Sequence, residues 1–542
     1  NHEVHTLGGP PYTCWAQFSP RQTGVYTAVL GDGDNILACD RFSVRTHRAK
    51  KKAREEAGPY WDNRWKWEPD TENLFSAFVE QLFNYDRDAD VSWHGLQTLL
   101  TDPKQNLLIN HLGEQEDAEL NLTPDCADLP YFLRAYFAWK TGLPFGVHTC
   151  SRGRRGRPPS CSEFQTNLLE APLEDELDSE AKIFERFANV VIGWNAHSAS
   201  GRTHPKSSDT DFYPVALRRD TLPPGTIFAD PYGHIMIISK WFPQPLGGYG
   251  LLMAIDGQPD GTIGRRRFWR GDFLFDAATD SFGAGFKRFR PIDMVLEETA
   301  EGTQRTPKAL DNKDLLKSKT HPHFSMEQYE LGTDGFYDQM QRLIDPRPLK
   351  PEELLLSRID ALFEAARRRV QALENGESYM ASRGFAPVEM PDGYLIFQSE
   401  GPWEDYSTPS RDMRLLIAMD AVTQTPKHVA DDPKQYGITD SSEINRVVSH
   451  LQEILENQLQ QRQITYRRSD NSPWQLSLAD VVRRARSLEM AYNPNDCPEF
   501  RWGASEKSEE FSTCNRRAPS DQREKMTAYR SWFKSRKRPV RE

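Results

Sequence analysis

The sequence has no run of about 18 apolar residues, the length that a helix needs to cross a bilayer, and it therefore predicts no membrane span. It also has no excess of positive charge: 68 lysines and arginines stand against 79 acidic residues, and the formal net charge is −11 at pH 7. An acidic balance argues against nucleic acid as the default partner. No internal repeat is visible, which excludes an array of repeated units. These absences leave a chain of ordinary composition, whose 11% aromatic residues are enough to build cores.

The length of 542 residues is too great for a single core, so the sequence predicts two to four domains. We expect a small β module over residues 1–55, a mixed α+β domain over 56–300 and a mainly helical domain over 301–542. No signal peptide is visible in the opening NHEVHTLGGPPYTC. For an exported chain, we expect that the targeting segment has already been removed.

The sequence is poor in cysteine, with seven in 542 residues, and it has no CxxC motif. Six of the seven form near neighbours along the chain. The predicted pairs are Cys14 with Cys39, Cys150 with Cys161, and Cys497 with Cys514. Such local pairs indicate disulfides in an oxidising compartment, such as a periplasm, although sequence alone leaves other pairings open. Zinc is the alternative, but the histidines are scattered. In either case Cys126 is left over.

Hydrophobic periodicity divides the chain into three kinds of segment. The stretch GVYTAVLGDGDNILACDRFSV has two alternating runs around Gly-Asp-Gly-Asp and predicts a β-hairpin. From Pro59 to Pro291 the patterns are mixed: TENLFSAFVEQLFNY predicts a helix, whereas TIFADPYGHIMIISKWF, GYGLLMAIDG and RRFWRGDFLFD predict strands. Beyond Gly302 we expect helices, as in KPEELLLSRIDALFEAARRRVQALENG.

The leftover cysteine lies in DCADLPYFLRAYFAWKTGLP, which has the apolar spacing of a helix that ends at Gly142. Asp125 suits an N-cap, so we expect Cys126 at the start of the helix, where free N–H groups and the helix dipole favour an anion. A thiol in such a position is shifted toward the thiolate, its nucleophilic form. Pro130 moves the expected start of the regular helix toward Asp128, so we expect Cys126 in an exposed position just before the helix. The alternative role for this cysteine is that of a small buried hydrophobe.

A thiolate nucleophile needs a base and a group that orients the base. His234 follows a glycine and opens the apolar strand of GHIMIISKW, which puts its ring at a strand end. Asp256 ends the apolar run of LLMAIDG one strand later, and a hairpin of antiparallel strands brings such ends together. We therefore predict that Asp256 fixes the tautomer of His234. Asp230 and Asp260 compete for that role, and His94 is an alternative base.

These motifs resemble two families of cysteine enzymes. DCADL before an apolar helix, followed by LPPGTIFA and GHIMIIS, resembles the cell-wall peptidases of the NlpC type. CADLPYFLRAYFAWKTGLP is also similar to the transglutaminase core. Both families share the papain-like fold, so the resemblance implies an α+β domain in which a helix carrying the cysteine packs on an antiparallel sheet carrying the histidine and the aspartate. It assigns the catalytic positions to Cys126, His234 and Asp256, and it covers residues 90–280.

Two basic clusters stand out on this acidic chain. They are Arg152, Arg154, Arg155 and Arg157 in SRGRRGRPPS, and Arg265, Arg266, Arg267 and Arg270 in GRRRFWRG. If both clusters flank the cleft, they favour an anionic substrate. The candidate substrate-binding residues are Arg152, Arg155, Arg266, Arg267 and Trp269. Solvated turns are the alternative. Three histidines in polar insertions are expected to be solvated: His148, His197 and His204.

The sequence thus predicts an enzyme that acts through a thioester and needs no cofactor and no metal. The favoured function is a cysteine peptidase or amidase that acts on peptidoglycan stem peptides or another envelope amide, in a periplasmic or secreted protein. The first alternative is a transglutaminase-type crosslinker, in which an amine accepts the acyl group. The second is a non-enzymatic envelope binding module on the same scaffold. The helical C-terminal domain is the expected surface for an envelope protein partner.

Overall fold

The computed structural model describes most of the chain. The described residues are 5–7, 13–15, 22–33, 35–44, 58–89, 91–125, 127–154, 156–172, 179–258, 261–277, 283–299, 302–347 and 349–539. Three residues named above, Cys126, Arg155 and Asp260, lie outside these ranges. What the sequence suggests for them therefore stays a prediction.

The strands of the described residues pair in an antiparallel manner. In chain order they are β1 (His5–Leu7), β2 (Thr13–Trp15), β3 (Gly24–Asp32), β4 (Asn35–Val44), β5 (Gly58–Pro59), β6 (Ser92–Trp93), β7 (Gly146–Cys150), β8 (Cys161–Thr166), β9 (Glu170–Ala171), β10 (Phe212–Pro214), β11 (Ile227–Ala229), β12 (Ile235–Phe242), β13 (Leu251–Gly257), β14 (Ile263–Arg267), β15 (Gly285–Phe289), β16 (Ile292–Thr299), β17 (Gly302–Ala309), β18 (Gln463–Arg467) and β19 (Pro473–Ser477).

The helices concentrate in the second half of the chain. In chain order they are α1 (Pro69–Leu82), α2 (Leu96–Leu100), α3 (Glu116–Glu119), α4 (Leu129–Thr141), α5 (Glu180–Arg186), α6 (Gly193–Asn195), α7 (Asn312–Lys317), α8 (Glu327–Glu330), α9 (Gly332–Ile344), α10 (Pro351–Ser382), α11 (Pro402–Tyr406), α12 (Pro409–Thr423), α13 (Thr425–Asp431), α14 (Ser441–Gln461), α15 (Leu478–Arg483), α16 (Ala485–Leu488), α17 (Pro498–Arg501) and α18 (Ser520–Lys534). Within the described ranges, none of them combines the length and the apolar character needed to cross a bilayer.

A seven-stranded antiparallel sheet organises the first half of the chain, in the strand order β10-β15-β11-β12-β13-β14-β6. β12 and β13 lie near its middle and are largely buried, as expected of strands that are apolar almost throughout. α1 and α4 pack in a first core that contains Phe78 and Tyr136. α9 packs in a separate core through Phe336 and Met340. The fold class is therefore α+β, with a multi-stranded antiparallel sheet.

The core that contains α9 also joins residues from both sides of residue 300. Phe228 of β11 and Phe286 of β15 pack there against Phe336 of α9, with ring centroids of Phe286 and Phe336 5.8 Å apart. The helices after α9 build another core, which includes residues of α10, α12 and α14. The domain limits stay predictions, but packing continues across the position where one of them was expected.

The N-terminal hairpin predicted around Gly-Asp-Gly-Asp is present. β3 and β4 pair along their length and meet at the turn between Asp32 and Asn35. The predicted disulfide at this hairpin is wrong, because Cys39 lies opposite Val29 as an exposed free cysteine. Cys14 belongs to a different two-stranded sheet, in which β2 pairs with β1.

The other two predicted disulfides are confirmed. Cys150 and Cys161 join β7 to β8, and Cys497 and Cys514 close the loop that contains α17. Two disulfides are compatible with folding in an oxidising compartment.

Two strand predictions differ from the structure. The chain from Gly302 to Ala309 forms β17, which pairs with β16, whereas we expected helices beyond Gly302. The mainly polar composition of β17, GTQRTPKA, hid its strand pattern. In RRFWRGDFLFD, β14 stops at Arg267, and the following residues turn back so that Phe273 and Phe275 enter the core containing α9. An apolar run that packs as a loop is not distinguished from a strand by periodicity.

The helical half of the chain, from α10 to α18, contains an ion pair that lies wholly inside the protein. Nε and Nη2 of Arg369 on α10 each donate to the carboxylate of Asp412 on α12, both at 2.8 Å. Neither side chain is exposed, and the guanidinium also lies over the ring of Trp502, 4.6 Å from its centroid. Two parallel N–H···O bonds give this pair both strength and direction.

Removal of Arg369 alone should therefore be costly. We expect Arg369→Met to lower the free energy of unfolding by about 3–5 kcal/mol, because Asp412 is left buried without a positive partner. The double variant with Asp412→Leu should recover most of that loss. Urea unfolding followed by circular dichroism measures both. Arg446→Met, which breaks an exposed pair with Glu443, is the matched control and should cost ~0–1 kcal/mol. Equal losses in the single variant and the control would contradict the structural role of the buried pair.

Candidate active site at the ends of β12 and β13

His234 lies at the end of a tight turn between β11 and β12. The N–H of Asp230 donates to the carbonyl of His234 at 2.9 Å, and the N–H of His234 donates back to Oδ1 of Asp230 at 2.9 Å. Gly233 has a φ of +104°, and a Cβ at this position would lie 2.7 Å from Cβ of Ser198. Glycine is therefore required before His234, both by its backbone conformation and by space. The turn fixes the backbone from which the imidazole projects.

The imidazole of His234 meets Asp256 at the end of β13. β12 and β13 pair through Ile237 and Ile255, which puts both functional residues at the same end of the sheet. Nε2 of His234 lies 2.9 Å from Oδ2 of Asp256. The side chain of Asp256 is 1% exposed, whereas that of His234 is 20% exposed. The pair is thus a buried carboxylate behind a ring that still reaches solvent.

The neighbours of Asp256 keep it ionised. Its Oδ2 also accepts hydrogen bonds from Nε of Arg266 and from Nε2 of Gln258, both at 2.8 Å. Burial opposes ionisation, but the charge of Arg266 and the hydrogen bond with His234 outweigh it and hold the pKa of Asp256 well below its usual range. An anionic Asp256 favours the His234 tautomer with hydrogen on Nε2, the atom that faces its Oδ2.

Asp230, the alternative orienting residue, has a different task. Its Oδ1 accepts the N–H groups of Tyr232 at 2.8 Å and of His234, so it holds the backbone of the turn and not the imidazole. Its Oδ2 accepts a hydrogen bond from Arg414 on α12. Burial opposes ionisation here too, while the charges of Arg414 and then Arg538 lower the pKa of Asp230 below its usual range.

The helix that follows Cys126 starts close to its predicted position. α4 has Asp128 as its N-cap, as the proline in its first turn indicates, and it ends at Gly142, whose φ is +74°. Asp125 closes the turn before the helix, where its Oδ1 accepts the N–H groups of Ala127 at 2.7 Å and of Asp128 at 3.2 Å. Cys126 itself lies outside the described residues.

The prediction of solvated histidines was wrong for His148 and His197. His148 is 7% exposed, and its Nδ1 lies 2.7 Å from Oδ1 of Asp211, whose Oδ2 accepts the hydroxyl of Tyr131 at 2.7 Å. The ring of His197 is half-buried, and its Nδ1 accepts a backbone N–H 3.1 Å away. His204 is half-buried as well. The polar insertions fold back onto the sheet domain, which local composition does not show.

The arginines of the second basic cluster bind groups of this same chain. Arg265 donates to two backbone carbonyls, Arg266 to Asp256, Arg267 to Glu364, and Arg270 to Asp334. Trp269 is 8% exposed and belongs to the core of the helical half. Arg267 and Trp269 therefore contact the helical half, whereas Arg265 and Arg266 bind groups in the first half of the chain. A substrate-binding role for Arg266, Arg267 and Trp269 would require a change in these contacts, and it stays a prediction.

The first basic cluster lies on the disulfide-closed hairpin of β7 and β8. The side chain of Arg152 is 48% exposed, and its Nη2 lies 4.0 Å from Oε1 of the exposed Glu400. Arg154 and Arg157 face each other across a backbone bridge in the same hairpin. Arg152 is thus an accessible candidate for contact with an anionic substrate.

One group of potential metal ligands comes together in the part of the chain that the structure describes. Cys497, Glu499 and Cys514 place their ligand atoms within 4.8 Å of one another. The two cysteines are joined in a disulfide, so their thiolates are not available to a cation. Glu499 instead accepts hydrogen bonds from Ser469 and Thr513.

Comparison of this chain with protein-family models, with curated proteins and with solved structures finds no match in any of the three. The class of protein therefore rests on the features of the molecule itself. These define an α+β protein with a buried aspartate and a partly exposed histidine in contact at one end of an antiparallel sheet.

The sequence analysis missed two residues that build this site, Gln258 and Arg414, and it predicted substrate binding for Arg266, which instead pairs with Asp256. A signal for Arg266 was present, because β14 alternates and pairs Gly264 with Asp256, which puts Arg266 on the same face as the aspartate. Gly264 also leaves the space that the carboxylate occupies, since a Cβ there would lie 3.3 Å from Oδ1 of Asp256. No local signal identifies Arg414, because it lies 184 residues from its partner Asp230.

The depressed pKa of Asp256 predicts a stability difference that depends on pH. Asp256→Asn should lower the free energy of unfolding by about 3–5 kcal/mol at pH 7, because it leaves Arg266 buried without a counter-charge. In the unfolded wild type, Asp256 takes up a proton as the pH falls below about 4, while the folded carboxylate resists protonation. Protonation therefore favours the unfolded state, and the wild type loses the stability that the ionised Asp256 provides. Asp256→Asn has no carboxyl group at this position and does not lose it. The gap between the two proteins should therefore narrow steadily below about pH 4.

Urea titrations of both proteins between pH 7 and pH 2.5 measure this gap. Asp334→Asn is the control, because Asp334 is 83% exposed and pairs with Arg270 at the surface. The free energy of unfolding of Asp334→Asn should differ from that of the wild type by ~0–1 kcal/mol at pH 7. A gap for Asp256→Asn that stays constant down to the lowest pH would contradict the assignment of an ionised, internally paired Asp256.

Proposed function

We propose that this chain is a cysteine peptidase or amidase that forms a thioester on Cys126, with His234 as base and acid and Asp256 as the group that orients it. The proposed fold of the sheet domain is papain-like, with α4 packed on the sheet that carries the other two residues. The proposed substrates are peptidoglycan stem peptides or another envelope amide. The observation that carries the proposal is the 2.9 Å contact between the buried, ionised Asp256 and the partly exposed His234.

The packing of α4 supports the choice of nucleophile. Ala127, which follows Cys126 in the sequence, is 2% exposed and belongs to the same hydrophobic core as Ile235, which follows His234. α4 also contacts β12 directly. The sequence neighbours of the thiol and of the imidazole therefore share one core, and this supports a reaction that uses both groups.

The charge at the start of α4 supports a reactive thiol. Burial, and then the carboxylate of Asp125 and its hydrogen bond, raise the pKa of Asp128 well above its usual range. A higher pKa favours the neutral form of Asp128 and so reduces the negative charge beside Cys126. A second charge beside Cys126 would oppose formation of the thiolate, whereas the positive end of α4 favours it.

The proposed reaction follows from the orientation of the imidazole. Nε2 of His234 faces Asp256, so Nδ1 takes the proton of the Cys126 thiol. The sulfur attacks the amide carbonyl, with the N–H of Cys126 as the proposed donor to the oxyanion. The imidazolium protonates the leaving nitrogen as the C–N bond breaks. Water, deprotonated by His234, then hydrolyses the thioester and releases the acid and the free thiol.

A periplasmic or secreted location belongs to the same proposal. Two disulfides within the described ranges are compatible with such a compartment. A peptidase of the cell envelope would meet its substrate there.

Labelling of the native protein tests the nucleophile. Iodoacetamide at neutral pH, followed by peptide mapping, should modify Cys126 and also the exposed Cys39. In the Cys39→Ser background, His234→Gln should slow the modification of Cys126 at least about tenfold, because the base that activates the thiol is lost. The rate at Cys39, measured in the chain that retains it, serves as the control and should not depend on His234.

Two outcomes would contradict the proposal. A Cys126 that reacts only after denaturation would exclude a nucleophilic role and favour the envelope binding module. A Cys126 that reacts at the same rate with and without His234 would separate the thiol from the proposed base.

Turnover distinguishes hydrolysis from acyl transfer. Purified chain incubated with muropeptides should release the cleaved stem peptide, and Cys126→Ala should reduce the rate at least about 10³-fold, because the covalent route is removed. A fluorescent primary amine added to the same reaction should stay unincorporated. Incorporation of the amine without release of peptide would assign the transglutaminase alternative. Cleavage that persists in Cys126→Ala would indicate a different site.

A further inference from the structure

The helical half reaches both turns of the candidate site through one helix, α12. Arg414 donates from α12 to Oδ2 of Asp230, in the turn that ends at His234. Arg411, one turn earlier on the same helix, donates through Nη2 to Oε1 of Gln258 at 2.9 Å. Gln258 in turn donates to Asp256. One helix from outside the sheet thus donates hydrogen bonds to Asp230, which shapes the turn of His234, and to Gln258, which binds Asp256.

The contact with Arg414 is the one on which the His234 turn depends most directly. The side chain of Asp230 has no exposed surface. Its Oδ1 accepts hydrogen bonds from the N–H groups of Tyr232 and His234, and its Oδ2 accepts a hydrogen bond from Arg414. A carboxylate at this depth stays ionised only with a positive partner. An ionised oxygen is also the stronger acceptor for the two backbone N–H groups. Loss of Arg414 would therefore weaken the bonds that shape the turn.

Other charged groups face the same turn, and among the described residues the hydrogen-bonded ion pair shown for Asp230 is the one with Arg414. Arg538, near the C-terminal end of the described chain, lies between the rings of Tyr232 and Phe397, with its guanidinium carbon 4.6 Å and 5.0 Å from their centroids. Further groups near this turn are Arg202 beside Gly233, Arg266 on β14, and Asp256 itself. The hydrogen bonds of Arg202 shown by the structure go to the backbone carbonyls of residues 198 and 152. Arg414 makes the hydrogen-bonded ion pair with Asp230.

We infer that Arg414 is a positioning residue for His234: through Asp230 it fixes the turn from which the imidazole reaches Asp256. The inference rests on the proposed function, in which His234 is the catalytic base. It assigns the helical half a part in catalysis, so that the active site is completed only when α12 docks on the sheet.

Two variants of Arg414 and one matched control test the inference. Arg414→Gln removes the charge and Arg414→Lys keeps it. Arg414 also donates through Nη1 to the backbone carbonyl of Asp272 at 2.7 Å. Arg368→Gln breaks the ion pair between the helical half and the carboxylate of Asp272 and leaves Asp230 paired, so it controls for the loss of contacts at Asp272. The side chains of Arg414 and Arg368 are 16% and 24% exposed, so the two sites are similarly buried.

We expect Arg414→Gln to lower kcat about 10- to 100-fold on the muropeptide substrate with KM changed less than about twofold, because the base is displaced while the binding surface is kept. Arg414→Lys should regain at least about tenfold of that loss, since the charge on Asp230 is compensated again. Arg368→Gln should stay within about twofold of the wild type. Should Arg414→Gln fail to fold, the double variant with Asp230→Asn removes both buried charges together, and its kcat should still fall at least about fivefold.

The ring of His234 provides a readout that does not need activity. Nitrogen-15 NMR of histidine-labelled protein, assigned with His234→Gln, should show the tautomer with hydrogen on Nε2 in the wild type and in Arg368→Gln. In Arg414→Gln the fraction of this tautomer should fall by at least about half, because the contact with Asp256 is loosened. Three results would overturn the inference. The first is an unchanged kcat in Arg414→Gln or in the double variant. The second is an equal loss of kcat in Arg414→Gln and Arg368→Gln, and the third is an unchanged fraction of the Nε2 tautomer in Arg414→Gln. If the wild type itself proves inactive, the proposed function fails, and the tautomer alone decides the positioning role.

Discussion

The buried carboxylate of Asp256 is the group on which the arrangement of the candidate site depends. A carboxylate with 1% exposure cannot remain charged unless positive and hydrogen-bonding groups surround it. Arg266 supplies the charge from the neighbouring strand, Gly264 leaves the room, and Gln258 adds a further donor. These contacts converge on Oδ2, the oxygen that also meets His234. The orientation of the imidazole is thus a consequence of how one internal charge is neutralised.

The same requirement explains how the two halves of the chain are joined. Arg267 pairs with Glu364, Arg368 with Asp272, and Arg414 with Asp230, each across the boundary between the sheet and the helical half. The planar guanidinium suits such buried contacts because it presents several donors in a fixed geometry and is weakly hydrated. In a chain with a net charge of −11, arginines used internally do not form a basic surface. The segment GRRRFWRG suggests an anionic ligand when it is read alone, but its arginines bind groups of the protein itself, both in the sheet half and on the helices.

Local signals in the sequence were sufficient for the elements that carry the site. The proline in the first turn of α4 indicated a helix start near Asp128, and Gly142 marked its end. The hairpin of β12 and β13 followed from two apolar runs around a turn, which brought His234 and Asp256 to one end of the sheet. The predictions failed for side chains whose surroundings are formed by residues far away in the sequence. His148 lies in a polar stretch but is buried, because its partner Asp211 is 63 residues away. Cys39 has a cysteine close in sequence, yet β2 and β4 belong to different sheets.

The sequence by itself determined the α+β character of the chain, the limits of α4, the hairpin of β12 and β13, and two local disulfides. These depend on residues within one or two elements, where the periods of helix and strand and the conformational limits of proline and glycine act directly. The tertiary structure alone decided which charges are neutralised and by which partners, as with Arg414 and Asp230, 184 residues apart, or Arg267 and Glu364, 97 residues apart. The physical reason is that a buried charge selects its partner by position in space, and that position is a property of the packed chain and not of any segment of it.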